Sequence, residues 1–234
     1  MNLLVLGAGK TGSLVVELGR ERGHNVRSLR SSDNAAAAGL THDALCEVDV
    51  VVDFTTPAAV LPNIAVCLRE KKNMVVGTTG WHAEMAKIRK QVEQAGTGFV
   101  YAANFSIGVN IFMQIARAAG EALQHGYAAR IVERHHVQKK DAPSGTAIAL
   151  RARMQPGLAQ GANHKDKIEI TSIREGDAVG QHVIFLDSPE DSMMLVHDAK
   201  SRRGYALGAI QAAEWIKGKT GFYEFAEIIA SLRP

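Results

Sequence analysis

Cysteine is scarce: only Cys46 and Cys67 occur in 234 residues. Both lie in otherwise apolar surroundings, so they are expected to be small core residues rather than a disulfide or a metal pair. No apolar run reaches the roughly 18 residues that a membrane-spanning helix requires. Met1 leads directly into a strand-like run with no signal peptide, so no membrane partner and a cytoplasmic location are expected. Charge of one sign is also lacking, since 27 Lys and Arg against 24 Asp and Glu leave a net charge of +3. The basic residues are scattered and form no stripe, so nucleic acid is not an expected partner. There is no internal repeat, and Ala35–Ala38 is too short to count as low complexity. The remaining composition, 46% hydrophobic and 22% charged, is that of an ordinary globular enzyme. A chain of this length can bury one large core or two small ones.

The first hundred residues alternate strand and helix signals. Asn2–Leu6 is a short run with the apolar character of a buried parallel strand. It ends in Gly7-Ala8-Gly9-Lys10-Thr11-Gly12, followed by Leu14, Val15 and Leu18 at helical spacing. Glycines spaced G-x-G-x-x-G between a strand and a helix permit a tight turn and close approach of a pyrophosphate to the backbone. A P-loop is excluded, because the further glycine it needs would stand at Leu4, inside the strand. A second strand is expected at Asn25–Leu29. Sites for NAD usually carry an acidic residue near that point. This chain offers Arg30-Ser31-Ser32, which suits a 2′-phosphate, so NADPH is expected, with NADH as the second candidate.

Further strands are expected at Asp49–Phe54, Asn73–Val76 and Gly98–Tyr101. A helix should be capped by the Thr55-Thr56-Pro57 turn, and another should run from His82 to Gln94. This rhythm defines an α/β fold with an N-terminal Rossmann-like, doubly wound parallel sheet, in which ligands sit beyond the carboxyl ends of the strands. The cofactor-binding stretches expected there are Gly7–Gly12, Arg30, Phe54, Gly77-Thr78-Thr79 and Ala102-Ala103-Asn104-Phe105. After Asn104 the pattern changes. Ser106 is expected to cap a helix whose apolar residues Ile107, Ile111, Ile115, Ala119 and Leu123 recur every four positions. Strands at Tyr127–His135, Lys167–Arg174, Gln181–Leu186 and Met193–His197 then suggest a second, α+β domain with a mixed or antiparallel sheet. Residues 1–105 and 203–234 are expected to form the dinucleotide-binding domain, and 106–202 the second.

Glu133–Thr146 concentrates the chemistry of that second domain. It places two imidazoles and two ammonium groups ahead of a turn that opens a helix. Asp141-Ala142-Pro143 stops the strand, and Ser144 is expected to cap the helix through Ala147-Ile148-Ala149-Leu150. The amides of Gly145 and Thr146 would then lie in the first turn, where anions bind. Hydride transfer to a C=N or C=C bond leaves negative charge that a proton must discharge, and an imidazole or an ammonium can supply it. No metal is expected, because no carboxylate or thiol stands at a familiar ligand spacing.

Several motifs resemble those of the 4-hydroxy-tetrahydrodipicolinate (dihydrodipicolinate) reductase family. They are Asp53-Phe54-Thr55, Gly77-Thr78-Thr79-Gly80, Asn104-Phe105-Ser106-x-Gly108-Val109-Asn110 and, above all, Glu133-x-His135-His136-x-x-Lys139-x-Asp141-Ala142-Pro143-Ser144-Gly145-Thr146. Arg174-x-Gly176, Gly180-x-His182, His197-x-Ala199, Trp215 and Gly221-x-Tyr223 extend the match across nearly the whole chain. The resemblance implies NAD(P)H-dependent reduction of a cyclic unsaturated dicarboxylate on the route to diaminopimelate and lysine. It implies acid/base chemistry at His135 and proton donation at Lys139. It further implies substrate contacts at His136, Ser144, Gly145 and Thr146, and a homotetramer assembled through the second domain's sheet. The glycine turn departs from the family pattern, with Lys10-Thr11 where Arg-Met is common. Two alternatives stay open: another two-domain NAD(P)-dependent dehydrogenase, and a non-catalytic NADPH-binding regulator.

Overall fold

A computed structural model describes residues 1–155 and 168–232. Its elements run β1 (Asn2–Leu6), α1 (Lys10–Glu21), β2 (Asn25–Leu29), α2 (His42–Leu45), β3 (Val50–Asp53), α3 (Pro57–Arg69), β4 (Asn73–Val76), α4 (Met85–Ala95) and β5 (Gly98–Tyr101). There follow α5 (Ile107–Ala119), β6 (Ala128–His135), α6 (Gly145–Met154), β7 (Glu169–Arg174), β8 (Gln181–Asp187) and β9 (Ser192–Asp198). The chain closes with α7 (Arg203–Ile216), β10 (Gly221–Glu224) and α8 (Phe225–Ile228). Two compact units result: Met1–Ile107 with Arg202–Pro234, and Gly108–Ser201.

In the first unit six strands pair in the order β10-β5-β4-β3-β1-β2, every neighbour parallel. The inner strands β1, β3, β4 and β5 are mostly apolar because both faces are covered, whereas the edge strand β2 buries only Val26. Leu3, Val5, Val50, Val52, Val75 and Val100 point into a core shared with α1, α7 and α8. Their alternates Leu4, Leu6, Val51, Met74, Val76 and Phe99 point into a second core with α3 and α4. Strand order reverses between β1 and β3, which is where ligands enter a doubly wound sheet. The edge strand β10 was not expected from the sequence. It is four residues long and acquires strand geometry by pairing with β5.

Two helix starts differ in detail from expectation. Thr56 occupies the cap position of α3 ahead of Pro57, but its side chain makes no capping bond. The helix expected from His82 opens as a 3-10 turn, His82–Glu84, before α4 begins at Met85.

The second unit is a mixed sheet in the order β7-β6-β8-β9. β6 runs parallel to β7 and antiparallel to β8, which pairs antiparallel with β9. Phe112 and Ala116 of α5 and Ala147, Leu150 and Met154 of α6 cover one face, over Ile131, Ile184 and Leu186. The expected every-fourth stripe on α5 is not its buried face: Ile111 and Ile115 are 42% and 43% exposed. A four-residue step advances 400° and drifts around the helix, whereas Val109, Phe112 and Ala116 hold one side. Residues 156–167, which include Lys167 of the expected strand Lys167–Arg174, lie outside the described residues. The cysteines also divide. Cys67 is buried, and burial, with Asp53 and Glu70 adding to it, pushes its thiol up to about 12. Cys46 is exposed, not core, because it ends the short helix α2, where its thiol donates to the Asp43 carbonyl (3.2 Å).

Candidate active site

The glycine turn after β1 is built for close approach. Gly7 has φ +93°, and a Cβ there would lie 2.3 Å from the Phe54 carbonyl oxygen. A Cβ on Gly12 would come within 1.9 Å of the Gly7 carbonyl oxygen. Any larger residue would push the turn off the strand ends. α1 begins immediately afterwards, capped by Gly9 with no side-chain acceptor and no acidic residue in its first turn. Its leading amides therefore have no carboxylate of their own helix to satisfy them, and they suit a pyrophosphate.

A cavity of about 730 Å³ opens beside this turn. Gly7, Ala8, Gly9, Arg30 and Phe54, all expected at the cofactor, line it together with Ser31, Ser32 and Thr55. The other expected cofactor residues are not in its wall. Lys10 and Thr11 form the first turn of α1, and Gly12 sits beneath Gly7. Gly77 supports Phe54, since a Cβ there would meet the Phe54 ring at 2.1 Å. Thr78 is buried, with its hydroxyl donating to Asp53 Oδ1 (2.7 Å), so the side chain is not presented to a ligand. Thr79 and Ala103 are exposed, and Ala102 is half-buried against the core. The Asn104 side chain accepts from the Ser106 amide (2.8 Å). Phe105 is a core residue, with its ring 4.8 Å from that of Phe225, so only its backbone is left for a cofactor.

Sequence reasoning passed over Asp53, which anchors this surface. Its carboxylate is fully buried and accepts from the Thr55 amide (2.9 Å), the Thr55 and Thr78 hydroxyls (2.6 and 2.7 Å) and Asn63 Nδ2 (2.8 Å). Asn63 in turn accepts from Asn34 Nδ2 (2.9 Å). An acidic residue closing the apolar run Val50-Val51-Val52 was the available signal, because a buried carboxylate must be satisfied by donors.

In the second unit the period-2 geometry of β6 places Ile131, Glu133 and His135 on the covered face. The stripe begins in the apolar core and ends in two polar groups, Glu133 fully buried and His135 nearly so. His135 Nδ1 is hydrogen-bonded to Glu133 Oε2. The other carboxylate oxygen accepts from Arg174 Nη2 (2.8 Å) and the Ser144 amide (3.3 Å). Arg174 also donates to the Asp141 carbonyl (2.6 Å), and Asp141 Oδ1 accepts from Lys139 Nζ (2.8 Å). Sheet register assembles this set, pairing His135 with Arg174 across β6–β7 and Glu133 with His182 across β6–β8.

His136 lies beyond the strand end, where its carbonyl accepts from the Lys139 amide (3.1 Å). Ser144 is the expected cap of α6, its Oγ accepting from the Ala147 amide (3.2 Å). That hydroxyl is also 3.0 Å from His182 Nε2, and the residue is buried. Ser144 is therefore the cap of α6, its amide donating to Glu133 and its hydroxyl shared between the Ala147 amide and His182. Gly145 and Thr146 supply the first two amides of the ten-residue α6. Helix geometry leaves these amides without intrahelical acceptors.

Burial is the largest influence on Glu133 and opposes its ionisation. The bonds from Arg174, Ser172 and His135 together outweigh it and bring the carboxyl from 4.5 to about 2. Burial also lowers His135 below its usual 6.5, opposed by Glu133 and aided by Lys139 and Arg174. His182 falls to about 4, by burial first and then the neighbouring His135. Both imidazoles are thus neutral at neutral pH. Glu133, His135 and His182 form the sole His/Cys/Asp/Glu group among the described residues whose atoms cluster tightly enough for a metal, all within 4.8 Å. A Glu-x-His pair completed by a distant strand is a pattern that spacing alone did not reveal. The Arg174 guanidinium, however, already neutralises the carboxylate on which a dication would depend.

These shifts set a sign for acid stability. An unfolded chain protonates His182 near pH 6.5 whereas the folded one resists to about 4, so this contribution is complete above 6.5 and fades as pH falls to about 4. The Glu133 contribution is complete above 4.5 and fades as pH falls to about 2. Tm is expected to decline steadily from pH 6.5 downwards. A Tm that stays flat or rises between pH 6.5 and 4.5 would contradict this electrostatic picture.

A parallel sheet with a glycine turn and a 2′-phosphate-compatible pocket, in a chain that also carries a histidine–carboxylate–lysine cluster, defines an NAD(P)H-dependent oxidoreductase. Comparison with known proteins narrows the class. The dihydrodipicolinate reductase N-terminus family matches residues 1–105 and the C-terminus family residues 108–229. The 4-hydroxy-tetrahydrodipicolinate reductase of Christiangramia forsetii is 35% identical, covering 99% of each chain. That of Neisseria gonorrhoeae is 35% identical over 79% of this chain and 74% of its own. The fold matches the dipicolinate-bound dihydrodipicolinate reductase of Paenisporosarcina sp. TG-14 with a TM-score of 0.80 at 24% identity, covering 97% of this chain and 99% of that one. The chain belongs to the dihydrodipicolinate reductase family.

Proposed function

We propose that this chain uses NADPH to reduce the cyclic dicarboxylate that its relatives are named for, 4-hydroxy-tetrahydrodipicolinate or its dehydrated form, to tetrahydrodipicolinate on the route to diaminopimelate and lysine. One observation carries the reading. A single unit gathers a helix N-terminus with two amides lacking intrahelical acceptors, an ammonium group, and an imidazole held by a buried carboxylate. Another dehydrogenase built on the same fold, or a non-catalytic NADPH-binding regulator, would have no use for that cluster.

The first unit would hold the dinucleotide through the Gly7–Gly12 turn and the start of α1, with Arg30, Ser31 and Ser32 at the adenosine ribose. When bound, the reduced nicotinamide supplies the hydride. The second unit handles the rest. The amides of Gly145 and Thr146, with His136, hold the ring carboxylates. Lys139 delivers the proton to the carbon next to the one reduced. It is the better donor of the two, since His135 is already neutral and Lys139 Nζ is held on a flexible stem by Asp141.

Arg30 and the hydroxyls of Ser31 and Ser32, which stand between the end of β2 and Asp33, underlie the preference for NADPH. kcat/KM should favour NADPH over NADH, and Arg30→Ala should narrow the ratio. Equal or better use of NADH by the unaltered chain would overturn the preference. The reaction itself is tested by following NADPH oxidation on addition of freshly generated dihydrodipicolinate precursor. Oxidation no faster than background would leave the dehydrogenase and regulator readings standing.

The same proposal includes a homotetramer. Met194 and Val196 are 63% and 49% exposed on β9, on the sheet face opposite the helices, and Arg130 lies over Phe185 on that face. An apolar face of this kind on one chain calls for a partner. Light scattering should give four chain masses, and a single chain mass would refute the assembly. A cytoplasmic location, where reduced nicotinamide cofactors are held, belongs to the same reading, and fractionation against a cytosolic marker tests it.

A further inference from the structure

We propose that Glu133 is the positioning residue of this site: its buried carboxylate captures Nδ1–H of His135 and fixes the tautomer that leaves Nε2 as a lone-pair acceptor. The inference deepens the proposed function and rests on it.

The geometry leaves little choice of tautomer. A carboxylate oxygen faces His135 Nδ1, so that nitrogen must carry the hydrogen in either charge state of the ring. Glu133 cannot turn away. Its second oxygen is pinned by Arg174 Nη2 at 2.8 Å and by the Ser144 amide at 3.3 Å, and its side chain has no exposure to water. On the other side, the Nε2 edge of the ring faces Gly180, where a Cβ would come within 2.9 Å of Nε2. Glycine at that position leaves the edge uncrowded.

Every ionisable or charged neighbour acts consistently with this. On β6 the neighbour is Glu133. From β7 comes Arg174, and from β8 the neutral His182, whose ring meets that of His135 edge-on at 5.2 Å. From the loop after β6 come Lys139 and Asp141, joined to the same cluster through the second hydrogen bond of Arg174. Arg174 thus links the carboxylate that orients His135 to the loop that carries Lys139. A plain buried ion pair between Glu133 and Arg174 would need no histidine on the carboxylate. A metal site would need the carboxylate without the guanidinium. The observed set fits a dyad that orients an imidazole, with the guanidinium holding the carboxylate in place.

The test uses the full chain labelled with ¹⁵N-histidine, with the His135 resonances assigned by comparison with His135→Gln. Unaltered protein should show His135 protonated at Nδ1 and unprotonated at Nε2 at neutral pH. In Glu133→Gln the carboxylate no longer supports the ring cation. The His135 titration midpoint should fall, the Nε2–H tautomer should appear, and kcat/KM should drop roughly 10²-fold, the lower end of what a positioned acid–base group contributes. A merely structural role for Glu133 would change neither tautomer nor midpoint. An Nε2–H tautomer in the unaltered chain overturns the proposal, and so does a folded Glu133→Gln protein with unchanged tautomer and midpoint. Should that variant not fold, the tautomer of the unaltered chain decides alone. The spectra need no turnover, so failure of the unaltered enzyme to reduce the cyclic substrate would sink the functional reading and leave the dyad independently decided.

Discussion

Lys139→Ala is expected to lower kcat/KM by roughly 10²–10⁴, the range over which a positioned proton donor contributes. Fold stability should barely change. The Lys139 ion pair is with an exposed partner, Asp141, and such pairs contribute at most about 1 kcal/mol. Lys139→Arg separates the positive charge at this position from proton donation. A guanidinium still attracts a carboxylate but does not give up its proton, so KM should stay near normal while kcat is lost. If Lys139→Ala retained near-normal kcat/KM, the proton would have to come from elsewhere, and His135→Ala would then become the decisive variant. Retention of activity by both would remove the cluster from the chemistry altogether.

Arg174→Ala should produce the largest loss of stability of any substitution near the site. Removing one partner of a buried pair leaves a charge without compensation and costs about 3–5 kcal/mol. Here the stranded group is Glu133, left with His135, Ser172 and the Ser144 amide as partners. The Glu133 pKa should then rise from about 2, so the loss relative to the unaltered chain should shrink as pH falls through 4.5. Urea unfolding at pH 7 and pH 4 reads both effects. A loss below about 1 kcal/mol at pH 7 would mean that the guanidinium is not what holds the carboxylate. Arg174→Lys keeps the charge, but an ammonium does not reproduce the guanidinium fork that spans Glu133 Oε1 and the Asp141 carbonyl, so it should recover only part of the loss.

What could be read in the chain and what could not divides along the range of the interactions. β2, β4 and β5 begin and end where their sequence patterns do, because short strand patterns bounded by turns are local signals. Ser144 caps α6 for the same reason, its hydroxyl reaching only three residues ahead. Misreadings arose where burial depends on distant partners. The every-fourth isoleucines of α5 looked like a core stripe, yet the sheet beneath selected Val109, Phe112 and Ala116. Cys46 follows Ala44 and Leu45 in sequence and is nevertheless exposed at the end of a short helix. The cluster around His135 lies furthest from local reading. Glu133 and His135 share a face by strand period, but Arg174 and His182 join them only through the registers of β6 with β7 and β8, about forty to fifty residues away in sequence. The side chains of Thr78, Ser144 and Phe105 likewise turn inward, to Asp53, His182 and the apolar core. Buried polar and aromatic groups find their partners first, and a sequence does not reveal which partners those are.

The central claim is that hydride passes from NADPH to the unsaturated dicarboxylate ring while this chain supplies the proton. Its most direct test is a single turnover with NADPH deuterated at the transferred position of C4, on freshly generated 4-hydroxy-tetrahydrodipicolinate. The product should be tetrahydrodipicolinate carrying one deuterium on a ring carbon, with a solvent proton on the neighbouring carbon. NADPH consumed without deuterium in the ring, or no consumption above background, would contradict the account.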